Sequence, residues 1–189
     1  MPLMKPAVII VGMVEDNFGK EGDSEEGYGR IVGPLGTFLK KCRHLSIPVI
    51  FACDSFVEGD FIFKGGMRPH AIRGSAGAAV PAGLARAQAD TVLPKRRFSA
   101  FFKTDLDQTL RTIQVDTVAV GGITTDFSVV ATAMDALCHD FSTIILEDLC
   151  TARSREMHEG FMDAYRRSII YPLLKVSSAD EFLDSFEHG

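Results

Sequence analysis

Residues 121–136 read GGITTDFSVVATAMDA. They pass from the end of an apolar strand (117–122, TVAVGG) through a short polar turn into a segment of helical period. On a helix, Phe127, Val130, Ala131, Met134, Leu137 and Cys138 share one face and are expected to pack on a sheet. Ser128, Thr132, Asp135 and His139 form the opposite, polar stripe. Ser128 then sits one turn into the helix with a view of solvent, where a serine is commonly solvated or bonded to backbone. The same geometry also admits chemistry. A strand ending in Gly121 and Gly122, followed by a helix start, brings backbone N–H groups and the positive end of a helix dipole to the carboxyl edge of a sheet.

The strand-then-helix pattern recurs along the chain. Apolar runs bounded by turn residues occur at 7–12, 47–53, 91–94, 117–122, 142–148 and 171–176. Their consecutive apolar residues suit strands covered on both faces. Between them, Ile31, Leu35, Phe38, Leu39 and Cys42 recur at helical spacing, as do Leu106, Leu110 and Ile113 behind Thr104, an N-cap candidate with Asp107 three residues on. A further helix is expected over about 154–167, and a short one from Ser178. Alternating strands and helices predict right-handed parallel βαβ units. The expected fold is a three-layer α/β/α sandwich around a mainly parallel, Rossmann-like six-stranded sheet, with residues 1–189 as a single domain.

Composition narrows the function. The chain has 189 residues, 46% hydrophobic and 24% charged, ordinary values for a globular domain. A net charge of −5 argues against a general nucleic-acid binder but leaves room for a local basic pocket. The longest apolar runs fall far short of a membrane span and the N-terminus lacks a leader pattern, so a cytoplasmic protein with no membrane partner is expected. Cys42, Cys53, Cys138 and Cys150 show no CxxC spacing and are expected to be free, buried thiols. Residues 15–29, EDNFGKEGDSEEGYG, form an acidic, glycine-rich loop after the first strand. It reads either as a lid over a ligand site at the strand ends or as a solvated surface loop.

The segment 121–136 resembles the isochorismatase-like hydrolases, a family that includes nicotinamidases and N-carbamoylsarcosine amidases. Their motif there is G-[IV]-x-T-D, one residue, the nucleophilic cysteine, then V…T-A-x-D-A, with Ser128 here in the cysteine's position. LPKRRFSAFFKTDLDQTLR (93–111) is similar to the family's lysine segment and puts Lys95 on the catalytic lysine. MRPHAIRGSAGAAV (67–80) is similar to its W-x-x-H-x-x-x-G-[ST]-x-G stretch, with His70, Gly74, Ser75 and Gly77 in step. PAVIIVGMVEDNF (6–18) corresponds to its first strand, which ends D-M-Q-N-D-F, and there Gly12 stands in place of the catalytic aspartate.

The resemblance implies a hydrolase of a small amide, ester or vinyl ether, with an altered triad of Gly12, Lys95 and Ser128. The alternative is a non-catalytic small-molecule binding protein on the same fold. A serine needs a base more than a cysteine does, since its hydroxyl is not ionised unaided, and the usual base is absent. Glu15 or Asp16 folding back, or Lys95 freed of its aspartate, are the candidate substitutes. The resemblance further implies a cis peptide at Ile123–Thr124 and an oxyanion hole from the amides of Thr124 and Ser128. In nicotinamidases of the family a metal is held by an aspartate, a histidine two residues later and further histidines. In ACDSFVEGD (52–60) Asp54 is kept but Phe56 replaces that histidine, so no metal and no cofactor is expected. Asp54, Phe56 and His70 are expected to border the substrate. Phe18, Phe61, Phe63 and Phe98 read as core or pocket wall, core being the default. The expected partners are a small-molecule substrate or ligand and further copies of the chain, as a dimer or tetramer.

Overall fold

A computed structural model describes residues 4–18 and 27–187. The middle of the acidic loop (19–26) therefore lies outside the described residues, and with it the lid reading of that loop. Six parallel strands, β1 (Pro6–Val11), β2 (Val49–Asp54), β3 (Thr91–Lys95), β4 (Thr117–Ile123), β5 (Ser142–Thr151) and β6 (Leu174–Ser177), form one sheet in the order β3-β2-β1-β4-β5-β6. Strands β1, β2 and β4 are buried along nearly their whole length, as their unbroken apolar runs predict, whereas the edge strand β3 exposes Thr91, Val92 and Pro94. In β1, Val8 and Ile10 enter one core with α1 (Val32–His44) and α5 (Ala179–Glu187). Ala7, Ile9 and Val11 enter the other, with α2 (Leu106–Thr112), α3 (Val130–Cys138) and α4 (Arg155–Arg166). The result is the expected three-layer α/β/α fold.

Local chemistry sets the helix ends. The Ser154 hydroxyl accepts from Met157 N at 3.2 Å and starts α4. Ser178 and Glu181 form a reciprocal capping box before α5, at 3.2 and 3.0 Å. At α2 the cap residue is Asp105 rather than Thr104, although the Thr104 hydroxyl still takes the Leu106 N–H at 3.3 Å. Asp107 instead pairs with Arg111 at 2.9 Å. The last strand also starts later than expected: Tyr171 and Leu173 are exposed, and Pro172, which has no N–H for a ladder, precedes the paired residues. Three of the four cysteines are buried; Cys138, at the end of α3, is exposed.

Two features position the site. Strand order reverses at β1, whose neighbours are β2 and β4, so the carboxyl ends of β1 and β4 form the switch point where ligands bind in such sheets. Between β4 and β5 the register is irregular: the step from Val120 to Gly122 faces the step from Ile145 to Cys150. The surplus of β5 projects Glu147 onto Arg166 of α4 and Asp148 onto the Ala179 N–H of α5, at 2.8 Å.

Candidate active site

At the switch point β1 and β4 approach too closely for side chains. Gly12 has φ +70° and Gly122 φ +114°, in the region that glycine tolerates best. A Cβ on Gly12 would overlap the carbonyl oxygen of Ile123, and one on Gly122 the carbonyl oxygen of Val11. Asn17 locks the turn by donating Nδ2–H to Gly12 O at 2.7 Å. Gly12 thus has no room for a side chain, because the space of a Cβ is taken by backbone.

Lys95 has a carboxylate partner. Asp54 and Lys95 end β2 and β3 as direct register neighbours. Their side chains form an ion pair in which the Lys95 side chain is fully buried and that of Asp54 is 13% exposed. Lys95 Nζ also donates to Arg97 O at 3.1 Å. The expectation of an unpaired Lys95 acting as base is corrected by register: the carboxylate comes from the adjacent strand. Burial pushes the neighbouring Cys53 thiol up to about 12, with Asp54 adding to the rise, so Cys53 is no substitute nucleophile.

After β4 the Ile123–Thr124 peptide is cis, and residues Thr125–Val129 make one wide π turn before α3. This turn reverses the faces expected for the helix. Val129, Thr132, Ala133 and Ala136 point inward, whereas Phe127 and Met134 are exposed and Ser128 is only 7% exposed. Small residues suit the close approach to the sheet. Thr132 is buried because its hydroxyl accepts from Ala100 N at 3.0 Å, tying α3 to the segment after β3. Phe127, released outward, stacks on Phe98 with centroids 5.1 Å apart.

These elements enclose a cavity of about 580 Å³. Ser128, Thr124, Asp54, Phe56 and His70 line it, while Lys95 lies behind Asp54 and Gly12 behind the β1 turn. Of the two candidate bases on the first loop, Asp16 lines the cavity and accepts from Ala71 N at 2.7 Å. Glu15 instead accepts from Ala82 N at 3.2 Å. Phe56 is buried between Phe63 and His70, at 5.4 and 5.2 Å. Phe98 borders the cavity and Phe61 is 68% exposed, so for these two the core default gives way.

The lining also holds residues that sequence reasoning missed: Asn17, Tyr28, Asp126 and Arg153. Asp126 Oδ1 is buried and has no hydrogen-bond partner among the described residues. Burial, then the charge of Asp126, raises the Tyr28 hydroxyl pKa, with Arg153 opposing. Asn17 and Asp126 lay within quoted motifs, 6–18 and 121–136, that could have flagged them; Tyr28 and Arg153 did not.

Behind the turn, Thr125 Oγ1 and His158 Nδ1 are 2.9 Å apart and buried. Burial, then the charge of Arg30, lowers the His158 pKa, so the ring is neutral near pH 7. Unfolded His binds its proton near pH 6.5, so as pH falls the unfolded chain takes up this proton before the folded one does. Stability is therefore expected to be undiminished above pH 6.5 and to fall as pH drops through that value toward the folded pKa. Urea midpoints at pH 8 and pH 5.5 should separate more in the native chain than in His158→Asn; equal separation would refute the assignment.

The residues present do not fit the metal of the family's nicotinamidases. Asp54 is engaged by Lys95, Phe56 offers no ligand, and His70 Nδ1 lies 3.0 Å from Arg68 O. No group of three or more His, Cys, Asp or Glu among the described residues could hold an ion.

Known proteins share the sequence pattern and the fold. The isochorismatase domain model matches residues 6–178. The uncharacterized isochorismatase family protein YecD of Escherichia coli O157:H7 is 36% identical over 106 residues, 56% of this chain and 54% of that protein. Maleamate amidohydrolase of Pseudomonas putida is 33% identical over 102 residues, 54% and 48% of the two chains. The chain spans about half the length of these curated relatives. N-carbamoylsarcosine amidase from Thermoplasma acidophilum superposes with a TM-score of 0.81 at 30% identity, covering 94% of this chain and 98% of that one.

Proposed function

The chain belongs to the isochorismatase domain family, and from this premise we propose that it is a hydrolase of a small amide, ester or vinyl ether, with Asp54, Lys95 and Ser128 as its reacting constellation. The observation that carries this reading is one cavity at the switch point bordered by Ser128, Thr124 and the Asp54 carboxylate that is paired with buried Lys95. Amides are the favoured substrates, because maleamate amidohydrolase and N-carbamoylsarcosine amidase are named for that chemistry.

In the proposed reaction the substrate carbonyl oxygen points at the N–H groups of Thr124 and Ser128, near the start of the helical turn, where early amides lack intrahelical partners. Ser128 Oγ attacks the carbonyl carbon and its proton passes to Asp54, the cavity carboxylate that is paired with Lys95. The leaving nitrogen takes that proton as the C–N bond breaks. Water then repeats the sequence on the acyl-serine, releasing the acid. The unpartnered Asp126 Oδ1 is a ready acceptor for a substrate N–H.

A second reading, a non-catalytic binding protein, is favoured by one observation: among the described residues no base is hydrogen-bonded to Ser128. One experiment separates the two. Product release from a panel of small amides, carbamoyl compounds, isochorismate and esters is followed for the native chain, Ser128→Ala and Asp54→Asn. Hydrolysis predicts turnover that falls by at least ~100-fold in both variants. No turnover, with a panel member still raising the Tm, would establish binding alone. The proposal extends to association as a dimer or tetramer, supported by exposed Ile169, Tyr171 and Leu173. It also extends to a cytoplasmic setting with no membrane or nucleic-acid partner; no helix among the described residues is long and apolar enough to cross a membrane.

A further inference from the structure

Beside the cavity, at the β3 edge of the sheet, lies a second recess of about 320 Å³. Arg73, Arg96, Arg97 and Lys103 line it together with Pro94 and Phe102, and no carboxylate does. Such a gathering of cations stands out in a chain of net charge −5. Among the described residues the one carboxylate paired with these cations, Asp60, sits behind the wall with its side chain fully buried. Arg96 Nη2 reaches its Oδ2 at 2.8 Å and Arg97 Nη1 its Oδ1 at 3.0 Å. Burial raises the Asp60 pKa, but the two bonded guanidiniums outweigh it and hold the carboxyl below its usual range.

Asp60 thereby fixes the orientation of two guanidiniums without neutralising the recess. Arg73 spends only Nε, on Ser55 Oγ at 3.2 Å, which leaves its terminal nitrogens uncommitted among the described residues. Lys103 occupies a left-handed conformation, φ +54°, that disfavours a side chain, and its ammonium lies 5.6 Å over the Phe102 ring. Strained backbone of this kind concentrates at ligand sites.

We infer that this recess binds the phosphoryl group of a phosphorylated small molecule. A monocarboxylate needs one guanidinium fork, whereas a phosphate dianion, with several acceptor oxygens, matches several converging donors and a surplus of positive charge. The volume admits the phosphate and part of what it is attached to. Arg97 also borders the Ser128 cavity, so the anchored ligand would sit at the cavity mouth.

The test is calorimetric titration at low ionic strength with inorganic phosphate, ADP and acetate. Phosphate and ADP should bind and acetate should not. Arg73→Ala/Lys103→Ala, which changes two exposed side chains away from the Asp60 cluster, should weaken phosphate by at least ~10-fold, the loss of roughly one charge-assisted hydrogen bond. Ser128→Ala should bind phosphate as the native chain does, so this inference and the hydrolase reading fail separately. Phosphate binding no tighter than acetate, or unchanged in the double variant, would overturn it. So would an oligonucleotide that binds where inorganic phosphate does not, because that would make the surface a polyanion site.

Discussion

Gly12→Asp, which puts an acidic residue at the end of β1, is expected to destabilise the chain. Two costs act together. The left-handed backbone at Gly12 penalises any side chain by about 1–2 kcal/mol. The new Cβ would also collide with the Ile123 carbonyl, a backbone atom that cannot rotate away, and forced packing of this kind adds typically ~1–3 kcal/mol. The combined loss should be about 2–5 kcal/mol, or on the order of 10 °C in Tm for a chain of this size. Gly12→Ala should lose nearly as much, because the cost lies in the Cβ and not in the charge. Urea denaturation of both variants decides: if Gly12→Ala matches the native midpoint, the close approach of β1 and β4 is wrong.

The Asp54–Lys95 pair predicts an effect of similar size from another cause. Asp54→Ala would leave the ammonium of a fully buried lysine with, among the described residues, only the Arg97 carbonyl, at 3.1 Å. Removing one partner of a buried pair typically costs ~3–5 kcal/mol, whereas replacing both with apolar residues of similar volume is often close to neutral. Asp54→Leu/Lys95→Met should therefore recover most of the stability that Asp54→Ala loses, although no turnover is expected from it. The comparison separates pairing from bulk. A loss below about 1 kcal/mol in Asp54→Ala would mean that Lys95 is solvated or neutral, and the pair could not serve the chemistry proposed for it.

Most of the architecture was legible from sequence, because buried parallel strands and amphipathic helices differ in period. The Ile31 to Cys42 pattern became α1, and Ser154 and Ser178 marked the starts of α4 and α5. Physical rules of the same kind misled at α3. Ranking residues by hydrophobicity put Phe127 and Met134 inside, but tight docking on the sheet selected Ala133 and Ala136, and the wide turn at 125–129 rotated the helix start. The site was legible where a motif is contiguous, as at Thr124 and Ser128. It was not legible where strand register makes the contact, as between Asp54 and Lys95, forty-one residues apart. The basic recess was equally hidden, since Arg73 and Lys103 meet only across the sheet edge.

The surplus residues of β5 have a mechanical consequence. In a regular parallel sheet the alignment of two strands at one end dictates their alignment at the other, so a one-residue slip anywhere turns every side chain to the opposite face. The irregularity between Ile145 and Cys150 interrupts that transmission. The half of β5 at Ser142–Ile145 is thereby uncoupled in register from the half at Cys150 and Thr151, while β4 runs unbroken against β1 from Thr117 to Gly122. A slip in the first half of β5 is expected to be absorbed in its surplus residues before it reaches Thr151. That end of β5 is anchored separately, by the Arg30 contact to Thr151 at 2.9 Å, so the two ends of the strand are free to diverge independently.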